Sequence, residues 1–228
     1  MIRVADYISK KLVEFKIRHI FTVTGGGAMH LNDAFGKNTE LACVYNHHEQ
    51  ACAMAAESYA RLSGKIAAVC VTSGPGGTNA ITGVLGGWLD SIPMLVISGQ
   101  VRFDTTTRSS SLKLRQLGDQ EFDITGCVQT MTKYAVMITD ANTIRYHLER
   151  AFHLATTGRH GPCWIDVPLN IQGALVDEKS LMAYDPAEDC GEIPPHLEKA
   201  TIDQILELIK NAKRPVLFAG SAIRLAGA

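Results

Sequence analysis

The sequence has no long apolar run. Its most apolar stretch, residues 80–98, is broken by Asp90 and Pro93 and falls short of the roughly 18 uninterrupted apolar residues a membrane-spanning helix needs, so no bilayer crossing is expected. Neither sign of charge is in excess: 22 basic against 23 acidic residues leave a net charge of −1. No summed positive field exists to draw a nucleic-acid backbone or an anionic membrane surface, so neither is an expected partner. The six cysteines (Cys43, Cys52, Cys70, Cys127, Cys163, Cys190) include no CxxC pair and lie mostly inside apolar runs. That suits buried free thiols in a reducing compartment, not zinc or disulfides. Asp6 stands where a signal peptide would have its apolar core, which makes the cytoplasm the expected compartment. No internal repeat or low-complexity tract is visible. Aromatic residues make up only 7%, whereas 46% hydrophobic and 20% charged residues are ordinary for a globular chain. At 228 residues the chain holds one large domain, or one domain and part of another.

What is present is an alternation of helical and strand patterns. Val4, Ile8, Leu12 and Phe15 predict a helix over 4–15, and a short apolar run at 20–23 ends in Gly25, Gly26 and Gly27. A helix over 29–35, an apolar run at 41–45 and an alanine-rich helix over 49–62 follow. Residues 66–71 are apolar on both alternating faces, as expected of a strand covered by helices on two sides. A glycine turn over 72–79, a helix over 80–88 and an apolar strand over 94–98 come next. Residues 102–120 are polar and patternless, longer than the usual structureless loop, and form a candidate lid. A helix over 142–156 and a strand over 163–167, bounded by Gly161, Pro162 and Pro168, close the unit. The alternation predicts an α/β fold, a doubly wound, mainly parallel sheet with helices on both faces.

Between residues 177 and 195 six acids stand against one lysine, among Pro186, Gly191, Pro194 and Pro195, the composition of a linker. Beyond it, Thr201 and Gln204 predict a capping box for an amphipathic helix carrying Ile202, Ile205, Leu206 and Ile209, and residues 215–220 read as a strand. One helix and one strand cannot bury their own apolar faces. The expected organisation is a first domain over 1–176, a linker over 177–196 and the truncated opening of a second α/β domain over 197–228.

Chemistry concentrates at the turns. Glu49 opens a helix whose positions three, four and seven further on are Cys52, Ala53 and Ala56, so its carboxyl shares an apolar stripe. A carboxyl group on a buried face loses hydration, which favours its protonated form unless it is paired, and this is how a proton-handling acid is made. An acid that favours the helix dipole and turns to solvent is the equally open alternative. His47, His48 and Glu49 invite a metal reading, but adjacent residues point apart on a helix and no HExxH partner follows, so solvated or core histidines are preferred. Ser73, Gly74, Pro75, Gly76, Gly77, Thr78 and Asn79 join a strand to a helix, where backbone amides approach ligands. Asn79 replaces the third glycine of GxGxxG, and no Walker lysine is present. By itself this is a ligand-side turn or a plain tight turn.

Four stretches in order carry a resemblance: His48-Glu49-Gln50, Val71-Thr72-Ser73-Gly74-Pro75-Gly76 with Asn79, Ser98-Gly99-Gln100-Val101, and Gly158-Arg159-His160-Gly161-Pro162. The chain resembles the acetolactate synthase-like family of thiamine diphosphate enzymes, with residues 1 to about 176 similar to its pyrimidine-binding domain and the tail similar to the start of its central domain. The resemblance implies 2-keto acid decarboxylation and carboligation. Thiamine diphosphate is the implied cofactor, and its diphosphate and magnesium are held outside this chain. Glu49 matches the catalytic glutamate, which hydrogen-bonds the pyrimidine ring and promotes the tautomer that removes the thiazolium proton. Thr24, Gly25, Thr72, Pro75 and Asn79 would line the pyrimidine pocket, and Gln100 would lie toward the substrate side. Arg159 matches an arginine that contacts FAD in flavin-containing members, so FAD is admitted but not required. The family's pairing of domains implies a homodimer or higher homo-oligomer. Three departures, Leu169 in place of lysine, Asp119 in place of phenylalanine and Thr24 in place of proline, leave the reaction open between acetolactate formation and a related carboligase or decarboxylase. With no Gly-Asp-Gly present, the chain alone is expected to be catalytically silent. The alternatives are the pyrimidine-binding subunit of a split enzyme, against which the unfinished second domain speaks, and a noncatalytic regulatory domain, which Glu49 disfavours.

Overall fold

The computed structural model describes residues 1–192 and 196–225. A short β1 (Ile2–Arg3) leads into α1 (Val4–Glu14), whose stripe Val4, Ile8 and Leu12 is fully buried. Strand and helix then alternate: β2 (His19–Thr22), α2 (Met29–Lys37), β3 (Ala42–Tyr45), α3 (Glu49–Ser63), β4 (Ala67–Val71), α4 (Pro75–Leu89) and β5 (Met94–Gln100). After a long loop come α5 (Ile124–Val128), β6 (Tyr134–Met137), α6 (Ile144–Thr156), β7 (Pro162–Pro168), α7 (Leu169–Gly173) and β8 (Leu175–Val176), with α8 (Lys199–Asn211) further on.

Six strands form one sheet in the order β3-β2-β4-β5-β7-β6, every neighbouring pair parallel. A separate antiparallel ribbon of β1 and β8 ties Ile2 to Val176. Strands β4, β5 and β7 are buried at every residue, as the interior of a sheet covered on both faces demands. Alternate residues serve opposite layers. Ala68, Cys70, Leu95, Ile97, Cys163 and Ile165 join α1, α2 and α6, while Val69, Val71, Met94, Val96 and Trp164 join α3, α4 and α5. The chain leaves β2 toward the β3 edge through α2, on the first layer, and leaves β4 toward β5 through α4, on the second. The connections diverge between β2 and β4, opening a crevice at the strands' carboxyl ends where ligands of open parallel sheets bind.

The expected doubly wound parallel sheet is therefore present, and four local expectations change. Helix α4 starts at Pro75, not at residue 80, because Pro at the first helical position is already set for helical φ and the glycine turn is absorbed into the helix. The loop after β5 contains 3₁₀ turns at Phe103–Thr105 and Thr107–Ser109. Helix α8 is capped by Glu198 without a side-chain bond, so Thr201 and Gln204 lie inside the helix and form no capping box. Residues 215–220 form no strand: none of the described residues offers them a ladder, and Val216, Leu217 and Phe218 are exposed.

The acidic segment after β8 is fastened along α6. Leu181 enters the core, the Tyr184 N–H donates to Glu149 Oε2 at 3.1 Å, and Arg150 forms a two-pronged pair with Asp189 at 2.8 Å. Pro194 and Pro195 of the expected linker, and residues 226–228 of the expected second domain, lie outside the described residues.

Candidate active site

Helices α3 and α4 cross closely because Gly83 has no side chain. A Cβ there would stand 2.6 Å from Ala53 Cβ and 2.8 Å from the Met54 nitrogen. One turn earlier on each helix stand Glu49 and Asn79, which face each other through this crossing. Asn79 Nδ2 donates to Glu49 Oε2 at 3.0 Å. The other oxygen, Oε1, lies 3.5 Å from where a Cβ on Gly76 would sit. Cys52, Ala53 and Ala56 are buried, and Glu49 is half-buried at the outer end of their stripe. His48 is the N-cap of α3, its Nδ1 accepting from the Gln50 N–H at 3.1 Å.

Thr72 joins the two glycine turns that flank the crevice. Its Oγ1 accepts from the Gly27 N–H at 3.0 Å, and its Cβ stands 2.4 Å from where a Cβ on Gly25 would be. A side chain at either Gly25 or Gly76 would collide with Thr72, so both glycines are required by close approach. Gln172 braces the first turn from beneath, its Nε2 donating to the carbonyls of Gly27 and Val167, both at 2.7 Å.

The structure thus gathers Thr24, Gly25, Glu49, Thr72, Pro75 and Asn79 at the carboxyl ends of β2, β3 and β4, on either side of the crevice. Thr24 and Asn79 are exposed, and Thr72 is half-buried. Gln100 ends β5 on the same side but is only 1% exposed. Its amide is occupied, with Nε2 on the Phe122 carbonyl at 3.0 Å and Asp166 Oδ2 at 3.1 Å, and Oε1 accepting from the Val101 N–H. Arg159 is not brought to this group. It precedes β7 and donates to Ser91 Oγ, before β5, at the opposite end of the strands. There it lines a cleft of about 240 Å³ with Trp88, Leu89, Lys133 and His160.

Sequence reasoning missed Gly83, Gln172 and the fully buried Asp166. A charge within the apolar strand Pro162–Pro168 was the available signal for the last. Burial pushes the Asp166 carboxyl up to about 6, against hydrogen bonds from Ser98 and Gln100 that pull it down. Among the described residues, no cluster of three or more His, Cys, Asp or Glu side chains suited to a metal ion occurs, and no helix is long and apolar enough to cross a membrane.

A half-buried carboxyl steadied by one amide beside the crevice can exchange a hydrogen bond with a flat heterocycle laid there. Residues 2–126 match the model of the thiamine pyrophosphate enzyme N-terminal TPP binding domain. The chain belongs to this family. Relatives of this TPP-binding chain include the acetolactate synthase large subunit of Corynebacterium glutamicum, 35% identical over 224 residues, which are 96% of this chain and 33% of that protein. The large subunit of Lactococcus lactis subsp. lactis is 36% identical over 98% of the chain and 37% of its own length, and the chloroplastic acetolactate synthase of Arabidopsis thaliana is 34% identical over 95% and 31%. The TPP-binding chain spans about a third of the length of these relatives.

Proposed function

We propose that this chain supplies the aminopyrimidine half of the cofactor site in a thiamine diphosphate enzyme that decarboxylates a 2-keto acid and ligates the product to a second carbonyl. The observation that carries the reading is the Glu49 carboxyl, held by Asn79 over Gly76 beside the β2/β4 crevice. Thiamine diphosphate, when bound, supplies the carbanion chemistry. The chain's own residues have narrower tasks. Gly25 and Gly76 leave room for Thr72, which locks the two turns together, and Glu49 offers Oε1 to a ring nitrogen while Asn79 fixes the other oxygen. The residues present fit a pyrimidine, and on this reading the diphosphate and its magnesium are held by other protein.

Exposed Val44, Tyr45, Met54 and Leu85 surround this face and support its burial against a second copy in a homodimer. Arg159 and its cleft are where FAD would be accommodated on this reading. The test is ligand-observed saturation transfer from the 228-residue chain to thiamine diphosphate. Transfer should fall on the pyrimidine protons and be lost in Glu49→Ala. Equal transfer from both proteins, or none to the pyrimidine, overturns the reading.

A further inference from the structure

We propose that Asp166 is a positioning residue for the candidate site: acting through Gln100, it fixes the base of the 101–123 loop and so sets where Gln120 and Glu121 stand over the Gly74 turn. Toward the carboxyl end of the sheet, the face of β5 and β7 that packs on α4 and α5 changes from apolar to polar. Met94, Val96 and Trp164 give way to Ser98, Gln100 and Asp166. These groups form one chain of bonds. Trp164 Nε1 donates to Ser98 Oγ at 2.8 Å, Ser98 Oγ to Asp166 Oδ1 at 2.6 Å, and Gln100 Nε2 to Asp166 Oδ2 at 3.1 Å.

An acceptor-only group in that position dictates which way the Gln100 amide faces. Its nitrogen must point to Asp166, which leaves Oε1 for the Val101 N–H and the remaining N–H for the Phe122 carbonyl. Gln100 thereby closes both ends of the loop. The loop in turn sits on the site. The Gln120 carbonyl lies 2.2 Å from where a Cβ on Gly74 would be, at a φ of +55° that glycine adopts freely. Between them opens a cleft of about 360 Å³ lined by Gly74, Pro75, Thr78, Gln116, Gln120 and Phe122. Within the loop, Glu121 accepts from the Thr107 N–H at 2.6 Å and the Leu117 N–H at 2.9 Å. Its carboxyl is pushed upward by burial and held below its ordinary range by these bonds. The charged groups that act on Asp166 belong to the same segment: Arg108 favours its charge and Asp123 opposes it, and the two pair at 2.7 Å. Only the consequence for ligand binding rests on the proposed function.

The experiment is amide hydrogen exchange on the 228-residue chain and on Asp166→Asn, Gln100→Met and the double variant, with α6 as internal reference. An Asn at 166 keeps at most a neutral bond to Gln100: with its NH₂ turned on Ser98, whose hydroxyl can accept it, Oδ1 still serves Gln100 without a charge, and with its NH₂ turned on Gln100 that bond is broken. Each single variant should speed exchange of amides in 102–121 by about tenfold, the factor carried by one charge-assisted bond, with α6 unchanged. The double variant should exchange no faster than Gln100→Met. Loop and α6 accelerating together in Asp166→Asn, an unchanged loop, or additive effects would each overturn the proposal. Gln100→Met decides alone if the Asp166 variant does not fold: a loosened loop with α6 intact supports the clasp, and an unchanged loop refutes it. Absence of thiamine diphosphate binding would remove the functional reading and leave these exchange results standing.

Discussion

Replacing Gly83 by alanine tests the helix crossing that brings Glu49 to Asn79. The new Cβ would lie 2.6 Å from Ala53 Cβ, 2.8 Å from the Met54 nitrogen and 3.0 Å from the Ala53 carbonyl carbon. Carbon atoms rest at about 3.5–4.0 Å, and two of these neighbours are backbone, so the helices must part by about 1 Å. Overpacking of this kind costs about 1–3 kcal/mol, and the clash with backbone favours the upper end. Alanine returns about 1 kcal/mol in helix propensity, leaving a net loss of about 2 kcal/mol. Gly86 is the matched control, since it lies in the same helix with open space around its missing Cβ. Gly86→Ala should gain about 0.5–1 kcal/mol from propensity alone. Urea denaturation of both variants decides the matter. The same opening would stretch the 3.0 Å Asn79–Glu49 bond toward 4 Å, beyond hydrogen-bond reach, so Gly83→Ala should also weaken cofactor binding. Equal stability of the two variants, or a gain at Gly83, would refute the reasoning.

The buried acid gives a pH test. Asp166 titrates at about 6 in the fold against an ordinary 3.8, so its stabilising contribution is complete below 3.8 and is lost as pH rises through 6. The stability of the wild type relative to Asp166→Asn should fall by roughly 3 kcal/mol between about pH 4 and pH 7, and a difference that is flat or grows with pH contradicts it. Arg150→Ala takes from the 7% exposed Asp189 its two-pronged partner and leaves it, among the described residues, the Tyr184 hydroxyl and the influence of His153. About 2 kcal/mol should be lost and proteolysis within 177–192 should rise, and unchanged cleavage there would show that the segment is not fastened by this pair. In the native protein a thiol reagent should reach exposed Cys127 and Cys190 promptly, half-buried Cys43 more slowly, and buried Cys52, Cys70 and Cys163 only on unfolding. Prompt modification of Cys70 would contradict the core described.

Most of the sheet was legible because its strands announce themselves by composition. Residues 66–71 and 94–98 are apolar on both faces, which only a doubly covered strand permits. The misses have physical causes. Tyr134–Met137 is a short edge strand, half-buried over most of its length, and lacks that signal. Residues 215–220 carry the signal but have no partner strand among the described residues. At the site, Glu49, Thr72 and Asn79 were read from motif order, whereas the geometry that unites them depends on Gly83, thirty-four positions from Glu49, whose importance appears only when two helices cross. Arg159 shares the motif order of the others but lies at the far end of the strands, because a loop that leads from a helix into a parallel strand sits at the strands' amino ends; element order, not motif order, carries that information.

The central claim is that the Glu49 carboxyl meets a pyrimidine ring nitrogen. Nitrogen-15 NMR of ring-labelled thiamine diphosphate in the presence of the chain observes that atom directly. A hydrogen bond to a carboxyl group is worth about 1.5–3 kcal/mol, so one ring-nitrogen resonance should shift on binding, and binding should weaken by about ten- to a hundredfold in Glu49→Ala with the shift gone. A ring-nitrogen resonance that moves identically with wild type and Glu49→Ala would contradict the account.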